Sequence, residues 1–113
     1  MSDGSRAGAV LEVTDADFAA EIEGAGGVSV VDFGAAWCGP CKMMNPIVEQ
    51  LAGELAGQVR IAKIDVDANP RTAARYNARS LPTFLVFRDG QVVDQLIGAM
   101  PKPVLERRIR EHL

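Results

Sequence analysis

The run Val28-Ser29-Val30-Val31-Asp32-Phe33 is apolar and β-branched almost throughout. A strand of that composition has no polar face to offer water and must be covered on both sides. Helical crossovers between parallel strands supply such cover, so this run pushes the chain toward an α/β architecture. The flanking sequence agrees. Ala9 to Val13 reads as a first short strand, and Thr14 as the N-cap of a helix through Glu23 with Asp15 and Asp17 in its first turn. Gly24-Ala25-Gly26-Gly27 ends that helix as a turn, since it lacks the Lys-Ser/Thr of a phosphate loop and the spacing of a dinucleotide fingerprint.

Beyond the central strand, Met44, Ile47, Val48, Leu51 and Leu55 recur at helical spacing and define one buried stripe on a long helix from about Cys38 to Leu55. Pro40 suits its first turn, and Pro46 is expected to kink it. Val59 to Val66 reads as another buried strand, and Asn69-Pro70 as the cap and first position of a short helix to about Tyr76. Thr83 to Phe87, Asp89-Gly90 and Gln91 to Ile97 form a hairpin, with Gly98 interrupting the last strand. Pro101 opens a final helix in which Val104, Leu105, Ile109 and Leu113 can face the core. The expected fold is α/β: a central mixed five-stranded sheet flanked by four helices. Residues 1-8 are expected as a loose N-terminal segment and 9-113 as a single domain, the size that a chain of 113 residues allows.

The charge balance excludes several classes of function. Twelve basic residues against 15 acidic give a net charge of −3, so neither nucleic acid nor an anionic membrane is expected as a partner. No apolar run approaches the roughly 20 residues of a membrane helix. The first eight residues lack a cationic start followed by an apolar stretch, which reads as a cytoplasmic protein without a signal peptide.

Only two cysteines occur, Cys38 and Cys41, in the string Trp37-Cys38-Gly39-Pro40-Cys41-Lys42 where the central strand turns into the long helix. A staple of that length would stabilise the fold by only about 2 kcal/mol, against about 4.7 for a long loop. Metal binding fails because His112, the single histidine, lies at the far C-terminus as a solvated helix-end residue, and two thiolates leave zinc undercoordinated. A Cys–His protease lacks its base for the same reason. Thiol–disulfide exchange remains. Cys38 falls at the helix N-terminus, where unpaired N–H groups favour a thiolate. Cys41 lies one turn further in and is expected to be the shielded partner. Cys38 is thus the expected nucleophile, and Cys41 resolves the mixed disulfide.

In this motif and its surroundings the chain resembles the thioredoxin family. The landmarks are Val31-Asp32-Phe33, the six residues from Trp37 to Lys42, Lys63-Ile64-Asp65-Val66-Asp67, Leu81-Pro82-Thr83 and Gly98-Ala99. The resemblance runs from the first strand to the final helix. Asp32, odd in an apolar strand, is either a loop-capping strand-end residue or a buried acid of raised pKa that takes the proton of Cys41; the resemblance favours the acid. Lys63 is either a lysine snorkelling from a strand or, as the resemblance implies, the ionic partner of Asp32. The resemblance also implies a cis Leu81–Pro82 bond opposite the cysteines, with the Leu81 backbone pairing an extended substrate. Trp37, Gly39, Pro40, Leu81, Gly98 and Ala99 then form an apolar patch around Cys38 for substrate contact.

The resemblance implies a monomeric protein-disulfide reductase that reduces disulfide-containing client proteins. Thioredoxin reductase recharges it with electrons from NADPH, and no tightly bound cofactor is expected. The rivals are an oxidase or isomerase of the same fold, which a reduction potential would separate, and a binding module that works without its thiols. Gly34 departs from the family, which usually carries an aromatic residue there. A hydrated hollow beside Cys38 and a more mobile active-site loop are the expected consequences, with Gly34→Trp raising thermal stability.

Overall fold

A computed structural model describes residues 8–113, and the segment expected to be loose lies almost wholly outside these described residues. In chain order the elements are β1 (Leu11–Glu12), the short helix α1 (Ala19–Glu23), β2 (Val28–Gly34), α2 (Gly39–Glu54), β3 (Val59–Asp65), α3 (Pro70–Arg75), β4 (Thr83–Arg88), β5 (Gln91–Ile97) and α4 (Lys102–Arg110). The sheet order is β1-β3-β2-β4-β5. β1, β3 and β2 run parallel, and β4 and β5 join antiparallel.

The buried run thus sits at the centre of the sheet, as its composition demands. Val28 and Val30 face a core with Met44, Val48, Leu51 and Leu55 of the α2 stripe and Leu105 and Ile109 of α4. Val31 and Phe33 face the opposite core with Phe18, Ile22 and Phe87. Alternation along one strand therefore feeds two separate cores. Leu113 does not join the first; it is exposed beyond the end of α4.

The N-terminal region departs furthest from expectation. The first strand shrinks to Leu11–Glu12. Thr14 does not cap the helix, whose N-cap is Phe18 with no side-chain hydrogen bond; its Oγ1 instead accepts from Asp17 N at 3.3 Å while Asp17 Oδ1 accepts from Thr14 N at 2.7 Å. The chain then passes through a turn, and α1 is π-helical, ending in a Gly24 N–H donated to Ala19 O at 2.7 Å.

Asp15, rather than serving its own helix, reaches across the fold. Its carboxylate accepts from the backbone N–H groups of Arg71 and Thr72 and from Thr72 Oγ1. It therefore caps α3, and the Thr72 hydroxyl foremost among these donors holds its pKa below the ordinary value. Asn69 consequently makes no side-chain cap of its own; it accepts from Asp15 N and donates to Asp65 O.

Candidate active site

β2 delivers the chain to α2 through a short turn, and Cys38 occupies the N-cap of that helix. Its φ of −85° and ψ of 111° are extended, as a cap requires, and Pro40 follows in the first turn. Cys38 Sγ accepts a hydrogen bond from Cys41 N at 3.2 Å. Three residues after a helix cap, Cys41 falls back toward it: the Cα atoms are 5.2 Å apart and the two sulfurs are joined as a disulfide.

The expected contrast in exposure is absent. Cys38 is 4% and Cys41 6% exposed. The asymmetry between them is one of surroundings instead. Cys38 Sγ faces the helix N-terminus, where N–H groups and the dipole favour negative charge. Cys41 Sγ faces the end of β2, where a Cβ on Gly34 would stand 3.2 Å away.

Asp32 lies two residues before Gly34 on β2 and is buried, so the capping alternative falls. Its Oδ1 has no hydrogen-bond partner. Desolvation raises its pKa to about 6, against an opposing pull from the positive charge of Lys63. Lys63 is Asp32's register partner on β3 and half-buried, and it acts through space, with no salt bridge between them. On the other side Asp32 pairs with Phe84 of β4, which offers only apolar surface.

The structure brings the remaining residues to this end of the sheet unequally. The Leu81–Pro82 peptide is cis. Leu81 packs with Val66 against a small cluster of Ala35, Cys38 and Cys41. Pro82 is buried, and its carbonyl accepts from Gly98 N at 2.8 Å, which fastens the strand-ending Gly98 to the loop before β4. Gly98 has a φ of +95°, a left-handed conformation suited to glycine. Gly39, Pro40 and Ala99 are exposed, and Trp37 is 69% exposed.

Three features were missed by sequence reasoning. Trp37 Nε1–H donates to Asp67 Oδ2 at 2.7 Å, so the exposed indole is tethered. Asp67 could have been singled out as the second acid of the Lys63–Asp67 run, exposed and without a core role. At Gly34, where a hollow beside Cys38 is expected, a Cβ would stand 3.2 Å from Cys41 Sγ, closer than an ordinary contact, so the space is tight. The missing Gly34 side chain would meet Cys41 and Asp32, with Cys38 not among its nearest neighbours. His112, finally, is not a free helix-end residue. It is only 22% exposed, and its Nε2 lies 2.9 Å from Asp94 Oδ2.

A five-stranded mixed sheet that presents a bonded Cys-x-x-Cys pair at a helix N-terminus, with a buried carboxylate behind it, defines a dithiol–disulfide oxidoreductase. The thioredoxin family model matches residues 9–111. The chain is 49% identical over 106 residues to "Thioredoxin 2" of Chlorobaculum tepidum, covering 94% of this chain and 97% of that one. It is 50% identical over 105 residues to "Thioredoxin" of Staphylococcus aureus, covering 93% and 99%. The chain belongs to the thioredoxin family, and its activity is thiol–disulfide exchange through Cys38 and Cys41. Disulfide-containing proteins are the partners that family membership implies, and none of the helices among the described residues is long and apolar enough to cross a membrane.

Proposed function

We propose that this single-domain protein is a cytoplasmic, monomeric reductase of client-protein disulfides, recharged by an NADPH-dependent thioredoxin reductase. The observation that carries the reading is the different setting of the two sulfurs, Cys38 Sγ at the helix cap and Cys41 Sγ beside β2 and its buried acid. Cys38 thiolate attacks one sulfur of the client disulfide; a mixed disulfide forms and one client thiolate leaves. Asp32 then takes the proton of the Cys41 thiol. The Cys41 thiolate attacks Cys38 Sγ, the second client thiolate departs, and the Cys38–Cys41 disulfide forms. The client has gained the two electrons that the dithiol has lost.

In this reading Lys63 tunes the acid by its charge, and Pro82 shapes the loop facing the disulfide. Trp37, Gly39, Pro40, Leu81, Gly98 and Ala99 contact the client chain. Exposed Trp37 and the Gly98–Pro82 hydrogen bond support a preformed contact surface. The test is reduction of insulin disulfides coupled to NADPH and thioredoxin reductase. NADPH consumption that requires both this protein and insulin is the expected result; none would refute the reductase reading.

A further inference from the structure

Three stretches make up the proposed client surface: the redox turn that opens α2, the loop before β4 with Leu81 and Pro82, and Gly98-Ala99 after β5. The last has little of its own to hold it. The N-cap of α4 is Pro101, which offers neither an N–H nor a side-chain cap, and Pro103 follows in the first turn. Two backbone donors of this stretch instead reach outward. Gly98 N donates to Pro82 O at 2.8 Å, which ties it to the loop before β4. Met100 N donates to Met44 Sδ at 3.4 Å, which ties it to α2 three residues after Cys41. Met44 is fully buried in the core with Leu51 and Leu105, and Met100 packs against that core. Leucine would fill much the same volume, but only the thioether gives Met100 N an acceptor. A half-buried N–H left unpaired is costly.

We propose that Met44 is a positioning residue for client binding: its Sδ accepts from Met100 N and holds Gly98-Ala99 at a fixed distance from the cysteines of α2. This rests on the reading of Gly98 and Ala99 as client contacts. A client chain that lies across both Cys38 and Gly98-Ala99 needs that spacing set. A stretch already in place costs less to order when the client docks. No bond forms or breaks at Met44, and the sulfur chemistry of Cys38 and Cys41 proceeds without it. A small disulfide, which reaches Cys38 without spanning the surface, is therefore indifferent to the tie.

The test combines amide hydrogen exchange, read by NMR, with kinetics on the whole protein. In the unsubstituted protein the Met100 amide is expected to exchange more slowly than in an unstructured chain; exchange at the unstructured rate overturns the tie. Met44→Leu keeps the apolar volume and removes the acceptor. It is expected to speed exchange at Met100 about two- to fivefold beyond any change at the Leu96 and Leu105 amides. That is the lower part of the hydrogen-bond range, since a thioether is a weak acceptor. With thioredoxin reductase in excess, its KM for insulin is expected to rise by about the same factor with kcat unchanged. Its rate with a small aromatic disulfide is expected to stay as it was. Met100→Leu keeps the backbone donor and is expected to match the unsubstituted protein in both assays. Unmoved Met100 exchange or insulin KM in Met44→Leu, an equal loss on insulin and the small disulfide, or Met100→Leu as impaired as Met44→Leu overturns the inference. Absence of insulin reduction by the unsubstituted protein would instead refute the client-reductase reading on which it rests.

Discussion

The indole N–H of Trp37 donates to the carboxylate of Asp67 at 2.7 Å, although 30 residues of chain separate them. The hydrogen bond holds an otherwise exposed aromatic ring in one orientation next to Cys38. An ordered ring needs no further ordering when a client docks.

Asp67→Ala is accordingly expected to weaken exchange with a protein disulfide by about two- to tenfold, the range of a typical hydrogen bond of about 0.5–1.5 kcal/mol. Exchange with a small aromatic disulfide, which has no chain to lay across the indole, is expected to stay unchanged. Parallel kinetics on insulin and on the small disulfide check this. An equal loss on both would show that Asp67 acts on the sulfurs instead.

Asp32 sets a pH dependence of stability. Its folded pKa of about 6 lies above the ordinary 3.8. Between those values the native state binds more protons than the unfolded chain, so this group's contribution to stability is full in acid and is lost as pH rises toward and past 6. The loss approaches about 3 kcal/mol at neutral pH. Asp32→Asn is expected to be the more stable protein at neutral pH, with its advantage fading toward acid, while resolution slows. Urea unfolding of both proteins across that range checks the sign. An advantage independent of pH would mean that Asp32 does not titrate as its burial requires.

The far side of β5 carries a second charged cluster. Asp94 accepts from Arg108 Nε at 2.9 Å and from its Nη2, and His112 Nε2 lies 2.9 Å away. The Arg108 hydrogen bonds, followed by that of His112, hold the Asp94 carboxyl well below the usual carboxylate range. Arg88 of β4 also donates to the carbonyl of His112. These contacts fasten the end of α4 to the sheet. Solvent screening limits their worth, so Asp94→Ala is expected to cost about 1 kcal/mol and about 4 °C in Tm. Because the Asp94 pKa is depressed, its contribution is present above the ordinary carboxylate value and is lost as pH falls through the folded one. The deficit of the variant should therefore shrink in strong acid, and disulfide exchange should not change. Thermal melts at neutral and acid pH check both.

Local pattern was legible in the sequence. The run into Phe33 placed β2 at the sheet centre, the stripe from Met44 to Leu55 placed α2, and the spacing of Cys38 and Cys41 on a helix start placed the disulfide. Side-chain partnerships between distant segments escaped. Asp15 looked like a cap for its own helix because nothing near it in the chain announces Thr72. His112 looked solvated because Asp94 lies 18 residues upstream. The relative exposure of the cysteines was misjudged for a related reason: Leu81 and Val66, which come from other loops, cover the disulfide and bury both sulfurs' residues alike. The π-helical turn at Ala19–Glu23 carries no sequence signature that distinguishes it from an ordinary helix.

The division of labour between the two sulfurs is the central claim, and covalent trapping tests it most directly. Cys41→Ser and Cys38→Ser proteins, each reduced and mixed with a disulfide-containing protein such as insulin, would be compared by intact mass under non-reducing conditions. Cys41→Ser should accumulate a mixed disulfide through Cys38, because attack survives and resolution does not. Cys38→Ser should form no such adduct and show no reduction. A Cys38→Ser protein that accumulates the adduct while Cys41→Ser does not would contradict the account and reverse the two roles.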